Sequence, residues 1–275
     1  MSTALLQTTY FGPIQWYQKL YRYNHCMIEQ YDSFQKQTYR NRCVIATANG
    51  VQALTVPIIH NGELKIENYD MTQDNTAANK SNHNSQFSIL NSQLVKDLRI
   101  SDHNQWRRVH WNALQSAYSE SPFFEYYADD LHPFFEKHYE FLLDFNEAIR
   151  QKICELIDIH PHVVHSSQFI VHNYEPQPAQ NNYELCTMNY ELCTMNYEPC
   201  TMNYELCTMN YEPCTMNYEL IADFREVINA KHPLHDAEFE AKPYWQVFQH
   251  KHGFLPNLSI LDLLFNMGPE SIFYL

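Results

Sequence analysis

The amino-acid sequence predicts a single α/β domain over residues 1–275, in which several helices pack a short mixed β-sheet and a β-hairpin. Short apolar segments typical of strands lie near the start of the chain, and longer segments with helical periodicity follow them. In addition, 45% of the 275 residues are hydrophobic and 15% are aromatic, which is enough to fill a substantial core. We also expect an irregular tandem-repeat insertion late in the chain.

The first predicted elements are a strand, a tight turn and a helix. Residues 3–10 form a short apolar run that ends at Gly12-Pro13. Beyond the turn, apolar residues return at helical spacing, at Ile14, Trp16, Tyr17 and Leu20. Residues 26–29 are a second candidate strand. A hairpin follows, with strands over 43–48 and 51–58, because Asn49-Gly50 is the dipeptide best suited to a two-residue turn.

Most of the later elements are predicted to be helices. One helix covers 104–118, capped by Ser101 or Asp102, and its buried stripe is Trp106, Val109, Ala113, Leu114 and Ala117. Residues 122–157 form two or three helical pieces, since Pro133 interrupts them. Three shorter elements complete the prediction: a strand over 168–172, a helix over 243–250 and a helix over 259–266 stopped by Gly268.

Two segments fall outside these elements. Residues 182–216 contain five tandem copies of NYE(L/P)CTM, which carry five of the eight cysteines. Pro199 and Pro213 interrupt any coiled coil, and an odd period places successive copies on opposite faces of a strand. We therefore expect an irregular surface insertion; a thiol or metal array is the alternative, although structural zinc sites space their cysteines more closely. Residues 68–93 are rich in Asn, Ser, Gln and Thr and predict a long polar loop.

Composition excludes several classes of function. Only five residues are glycine, and none are spaced for a G-x-G-x-x-G or Walker A phosphate loop. A formal net charge of −14 argues against nucleic acid as a partner. The expected partner is a small anionic or sugar-linked substrate. No apolar run is long enough to span a membrane and the start does not resemble a signal peptide, so we expect a cytoplasmic protein.

Two neighbouring segments could bind such a substrate. The turn after the first strand places Gln7, Thr8 and Tyr10 next to a helix start, where open α/β folds collect ligands. The strongest basic concentration holds Lys36, Arg40, Asn41 and Arg42. If this stretch is extended, both guanidinium groups share a face and suit a carboxylate or phosphate. The structural alternative for the first segment is an ordinary strand-to-helix connection. For the second, it is that the arginines only form ion pairs with acidic residues at the surface.

Candidate catalytic residues lie on two predicted helices. Ser259, Asp262 and Asn266 form a polar stripe on an otherwise apolar helix. Such a stripe is either a buried structural network or the lining of a ligand site. An ion pair between Asp262 and Arg40 or Arg42 would be compatible with both alternatives. Asn266 and the preceding Asn257 are candidate substrate-binding residues. His110 is a second candidate base, although a lone helical histidine is more often structural. Residues 160–165 (HPHVVH) favour a loop over a metal site, and we expect no bound metal.

Several stretches together resemble the WbqC-like family of bacterial proteins. They are LLQTTYFGPIQWY, YDSFQKQTYRNR, LTVPI, RISDHNQWRRVHWNALQSAY, SPFFEYYADDL and FLPNLSILDLLFNMGPESI. In many members the first motif reads His-Gln-Pro, where this chain has Leu6-Gln7-Thr8, so no role for that histidine carries over. The resemblance implies a product of gene clusters for O-antigen and other surface polysaccharides.

The leading hypothesis is a cytoplasmic transferase of surface-polysaccharide biosynthesis that moves an acyl or aminoacyl group to an amino sugar. In it, Arg40 and Arg42 bind an anionic donor, the turn residues position the substrate, and Asp262 or His110 is the base. The alternative is a non-catalytic binding or scaffold protein associated with polysaccharide enzymes, which would use exposed aromatic residues of the run 123–127. Neither hypothesis identifies a cofactor.

Overall fold

A computed structural model describes residues 2–59, 93–166 and 220–275. The strands are β1 (Ser2–Gln7), β2 (His25–Glu29), β3 (Arg42–Thr47), β4 (Gly50–Thr55), β5 (Ile58–Ile59), β6 (Arg99–Ile100), β7 (Val163–His165) and β8 (Leu220–Asp223). The helices are α1 (Ile14–Arg22), α2 (Trp106–Tyr118), α3 (Phe124–Leu131), α4 (Pro133–Glu136), α5 (Leu142–Leu156), α6 (Gln249–His252) and α7 (Ile260–Met267). Short 3-10 helices cover Val95–Asp97, His103–Gln105 and Gly268–Tyr274.

The central sheet has the strand order β7-β2-β1-β8, and every neighbouring pair is parallel. The hairpin β3-β4 and the pair β5-β6 are separate antiparallel units. The α/β prediction is therefore confirmed, but the expected mixed sheet is a parallel sheet accompanied by two antiparallel pairs. Parallel strands place all their carboxyl ends at one edge, where polar side chains can gather.

The unit β1-turn-α1 forms as predicted and is completed by the last helix. Ser259 pairs with Pro13 in an isolated bridge, and the Ile14 amide donates to the Leu258 carbonyl over 3.0 Å. The Ile260 amide donates to the Gly12 carbonyl over 2.9 Å. These contacts fix the turn that follows β1 at the edge of the sheet.

Helix α7 is wholly buried apart from its last residue, as its apolar sequence predicts. The Ser259 hydroxyl caps it by accepting from the Leu261 amide, and it donates to the Phe11 carbonyl. Gly268 ends it with a φ of 56°, a conformation that favours glycine.

Helix α2 differs from the prediction at its start and on one face. It begins after Gln105, whose φ is 48°, and no side chain caps it, so neither Ser101 nor Asp102 has that role. Val109, expected in the buried stripe, is 56% exposed, whereas His110 is buried. Trp106, Leu114 and Ala117 are buried as predicted, and His110 takes the buried position expected for Val109.

Residues 122–157 divide into α3, α4 and α5, with Pro133 at the first turn of α4 as its fixed φ favours. The helix expected over 243–250 is reduced to the single turn α6, and Tyr244 lies in irregular chain with its ring buried. Residues 163–165, expected in a loop, form β7. The predicted strand over 168–172, the repeat over 182–216 and all of the 68–93 loop except Gln93 lie outside the described residues. Within those that are described, no helix is long and apolar enough to cross a membrane.

Candidate functional site

Polar side chains gather at the carboxyl ends of the parallel strands. Gln7 and Glu29 end β1 and β2 and are register partners, so their side chains leave the same face of the sheet. Ser166 follows β7, and its hydroxyl donates to Glu29 Oε1 over 2.7 Å. Arg225 follows β8, and its Nη1 lies 3.8 Å from Glu29 Oε2. Asp223 binds Arg225, Asp32 is near enough to raise the pKa of Arg225 electrostatically, and Arg40 pairs with Asp32. We call these seven residues the edge cluster.

Glu29 is the central carboxylate of the edge cluster and is 1% exposed. Its Oε1 accepts hydrogen bonds from the Ser166 hydroxyl and from the Tyr31 amide, each over 2.7 Å. Its Oε2 has no hydrogen-bond partner among the described residues, since Arg225 is too far away to donate. One oxygen is thus held by two hydrogen bonds, and the other is buried without a donor among the described residues.

The two arginines of the edge cluster each have an aspartate of their own. Arg225 binds Asp223 through Nε, 3.0 Å from Oδ1, and through Nη2, 2.7 Å from Oδ2. Arg40 is 1% exposed and pairs through Nη2 with Asp32 Oδ2. The side chains of Asp32, Asp223 and Arg225 are 22%, 18% and 18% exposed. The cluster therefore opens to solvent on the side of these three residues.

Gln7 ends β1 and Thr8 begins the turn that follows it, and their role in substrate binding stays a prediction. Gln7 Nε2 donates to the Ile228 carbonyl, and its Oε1 is buried without a partner among the described residues. Thr8 Oγ1 accepts from Asn146 Nδ2 over 3.2 Å, and the same amide donates to the Arg40 carbonyl over 2.8 Å. Asn146, on α5, therefore ties the turn after β1 to the backbone of Arg40.

The predicted basic cluster is not a cluster in the structure. Residues 39–41 form a turn, so Arg40 and Arg42 do not share a face. Lys36 is exposed, and Arg42 Nε donates to Thr55 Oγ1 over 3.1 Å. Asn41 is buried and its Nδ2 donates to the Val56 carbonyl over 2.8 Å. Of these four side chains, only that of Arg40 belongs to the edge cluster.

Tyr10 and His110 form a buried pair away from the edge cluster. The Tyr10 hydroxyl lies 2.9 Å from His110 Nδ1, and the Trp106 ring packs against the imidazole with centroids 5.1 Å apart. Burial lowers the pKa of His110 to about 4, although a hydrogen bond to the Thr55 backbone acts in the opposite direction. The imidazole is therefore neutral near pH 7. Its catalytic role stays a prediction.

Asp262 sits in a separate network inside the protein. Oδ1 accepts from the Tyr118 hydroxyl over 2.8 Å, and Oδ2 accepts from the Tyr244 hydroxyl over 2.5 Å and from Gln246 Nε2 over 3.0 Å. Burial raises the pKa of Asp262, and these donors oppose the shift. The expected pair with Arg40 or Arg42 is wrong, because Arg40 binds Asp32 and Arg42 binds Thr55.

The two remaining predicted side chains make structural hydrogen bonds, Asn257 with Gln15 of α1 and Asn266 within α7. Asn257 Oδ1 accepts from the Gln15 amide and its Nδ2 donates to Gln15 Oε1, each over 3.0 Å. Asn266 Nδ2 donates to the Asp262 carbonyl over 2.7 Å. Their roles in substrate binding stay predictions.

The sequence prediction does not include Glu29, Asp32, Ser166, Asp223 or Arg225. Glu29 carried a usable signal, since it is an acidic residue that ends a predicted strand. Ser166 follows β7, Asp223 ends β8 and Arg225 follows it, and both strands are too short for periodicity to identify. Their position depends on strand pairings across more than a hundred residues.

Two cavities of about 370 and 360 Å³ lie at the opposite, amino-end edge of the sheet. His160 and Pro161 line both of them. Beside them, His162 Nδ1 lies 2.9 Å from His25 Nδ1, where each strand begins. Neither cavity includes a residue of the edge cluster.

Comparison with known proteins identifies the family. The model of the WbqC-like protein family matches residues 7–91 and 88–194, which together exceed half of the chain. This region includes Gln7, Glu29, Arg40 and Ser166 and ends before Asp223. No curated protein and no solved structure matches the chain. On the strength of the family match, the chain belongs to the WbqC-like protein family.

Proposed function

We propose that the chain is a cytoplasmic transferase of surface-polysaccharide biosynthesis that moves an acyl or aminoacyl group to an amino sugar at the edge cluster. Membership of the WbqC-like family suggests a function related to polysaccharide biosynthesis. The observation that carries the choice of site is the contact of Glu29 with Ser166 and Arg225, beside its register partner Gln7, at the carboxyl ends of the parallel strands. Open α/β sheets bind their ligands at this edge.

The edge cluster supplies the groups that this reaction requires. An amine must be unprotonated to attack a carbonyl, and Glu29 Oε2 is a carboxylate oxygen free to take its proton. The new bond joins the amine nitrogen to the carbonyl carbon, while the bond from that carbon to the thiol or alcohol of the donor ester breaks. The nitrogen's remaining excess proton leaves with that thiol or alcohol. In this proposal the Arg225 guanidinium, whose Nη1 lies 3.8 Å from Glu29 Oε2, stabilises the negative charge that develops on the carbonyl oxygen.

The scaffold alternative receives less support. In the run 123–127, Phe124 and Tyr127 are buried, and Tyr126 is the large side chain that is mostly exposed, at 72%. One exposed tyrosine does not form the apolar patch that a docking surface needs. Of the large aromatic side chains in the run 123–127, only that of Tyr126 is mostly exposed, so the run gives the scaffold hypothesis little support.

Mass spectrometry of the reaction products tests the proposal. The full chain is incubated with nucleotide-linked amino sugars and a panel of acyl thioesters and aminoacyl esters, and the amide product is quantified. We expect wild type to form an N-acylated sugar and Glu29→Gln to form it about 100-fold more slowly, since general-base catalysis contributes factors of this size. Glu226→Gln, an exposed carboxylate near the same edge, is the matched control and should keep the wild-type rate.

Absence of any product across the panel would contradict the proposal. A Glu29→Gln rate equal to wild type would place the chemistry elsewhere. Asp262→Asn and His110→Gln, measured in parallel, test the two catalytic roles predicted from the sequence.

A further inference from the structure

We infer that the edge cluster binds the acceptor as a primary ammonium ion, held between Glu29 Oε2 and Gln7 Oε1. The inference rests on the proposed function and names the chemical group that the site recognises. It makes a free amine, rather than the sugar ring, the feature that the substrate must carry.

The first step is the kind of atom that lacks a partner. Glu29 Oε2 and Gln7 Oε1 are both hydrogen-bond acceptors, and both are buried without a partner among the described residues. Their side chains are 1% and 2% exposed. A buried acceptor without a donor is costly, so a ligand that brings donors is favoured at this position.

The second step is the direction of the Gln7 amide. Its Nε2 faces the Ile228 carbonyl, which can only accept a hydrogen bond. The amide is therefore fixed with Oε1 turned away from that contact. Because Gln7 and Glu29 are register partners on adjacent strands, their backbones are about 4.8 Å apart and one small group can reach both side chains.

The third step is the balance of charge. In the part of the chain that the structure describes, the cluster contains three carboxylates and two guanidinium groups. Arg40 pairs with Asp32 and Arg225 binds Asp223 through two nitrogens. Glu29 is left as a buried carboxylate whose nearest cation, Arg225, is 3.8 Å away and already paired. One added positive charge would balance the cluster.

These steps define the substrate class. A primary ammonium group brings one positive charge and three N–H donors, which match two acceptors and one excess negative charge. An N-acetylated amine is neutral, has a single N–H and carries added bulk. The site should therefore distinguish an amino sugar from its N-acetyl form.

Isothermal titration calorimetry of the full chain measures this preference without turnover. The probes are glucosamine and N-acetylglucosamine at neutral pH. We expect wild type to bind glucosamine about tenfold or more tightly than N-acetylglucosamine, as loss of a charge-assisted hydrogen bond implies. Glu29→Gln should lose about tenfold in glucosamine affinity and leave N-acetylglucosamine binding unchanged.

Two further variants secure the result. Gln7→Met keeps the length of the side chain but removes Oε1, and it should also weaken glucosamine binding. Glu226→Gln changes an exposed carboxylate nearby and should bind as wild type does. A thermal unfolding curve for each variant shows that it is folded.

Equal wild-type binding of the two probes, or no binding of either, would overturn the inference. If N-acylated product forms while the probes bind equally, the ammonium site is wrong and the proposed transferase stands. If glucosamine binding depends on Glu29 but no donor yields product, the ammonium site stands and the proposed reaction is wrong.

Discussion

At the scale of single residues, His110 shows how burial changes the chemistry of a side chain. Its ring is buried beside Trp106 and contacts the Tyr10 hydroxyl and the Thr55 backbone. Burial lowers its pKa to about 4, whereas an unfolded histidine has a pKa of about 6.5. The unfolded chain therefore takes up a proton at mildly acidic pH and the folded protein does not.

This difference predicts that the free energy of unfolding decreases as the pH falls. The contribution of His110 is fully present above pH ~6.5 and is lost progressively toward pH ~4, by about 2 kcal/mol between pH 7 and pH 5. Urea denaturation at both pH values measures it. His110→Gln should remove this part of the pH dependence, whereas His160→Gln, an exposed histidine, should keep it. An unchanged pH dependence in His110→Gln would contradict the prediction.

Single residues also mark where sequence proximity is a poor guide. Lys36, Arg40 and Arg42 are close in the sequence, yet one is exposed, one is buried against Asp32 and one contacts Thr55. A turn at residues 39–41 separates them, and nothing in the local pattern predicts its direction. Gln7, by contrast, was predictable because it ends a strand with a strong apolar pattern.

At the scale of elements, helix α7 depends on how it ends. Gly268 has a φ of +56°, and a Cβ there would lie 2.6 Å from the Phe123 ring. Gly50, in the hairpin, has a φ of +108° with nothing within 4 Å of a Cβ. The two glycines share a strained backbone conformation, but only at Gly268 would a side chain also meet another residue.

Gly268→Ala should therefore destabilise the protein more than Gly50→Ala. Both substitutions carry a backbone penalty of about 1–2 kcal/mol, and Gly268→Ala adds about 1–3 kcal/mol from the clash with Phe123. Urea denaturation at pH 7 measures the two free energies of unfolding. Equal losses would show that Phe123 moves aside without cost.

Elements with strong local signals were predictable from the sequence. Asn49-Gly50 predicts the β3-β4 hairpin, although the two turn residues are Ala48 and Asn49 and Gly50 already pairs with Thr47. Ser259 and Gly268 bracket α7 as predicted. Elements that form only through contacts with distant segments were not predictable from the sequence. Strand β7 has three residues and exists because it pairs with β2, and α2 buries the polar His110 where hydrophobic periodicity predicts Val109. The edge cluster depends on such partners, so the sequence indicates Gln7 and Thr8 but not the residues around them.

At the scale of the whole molecule, the connection from β7 to β8 must cross the sheet. The four strands of the central sheet are parallel, so the connection runs from the carboxyl end of β7 to the amino end of β8, across three strand spacings or about 14 Å. Deleting residues 182–216 leaves 19 residues for this connection. A chain of that length reaches about 60 Å when extended, more than the crossing requires.

We predict that the 182–216 deletion keeps the fold and the activity. The free energy of unfolding should stay within about 1 kcal/mol of wild type, because loop closure depends only weakly on loop length. Urea denaturation and the product assay measure the two properties. An unfolded or inactive deletion variant would show that the repeat is required.

The closure of the turn after β1 by the last helix has a consequence for synthesis. The Phe11 carbonyl accepts from the Ser259 hydroxyl, a contact across 248 residues. At about 5–20 residues per second, a ribosome needs roughly 12 to 50 s to make the chain between them. Throughout that interval the turn lacks its cover and β1 lacks β8. The domain can therefore complete its fold only late in synthesis. Until β8 has been made, the apolar central strand β1 must be kept from pairing with the wrong partner.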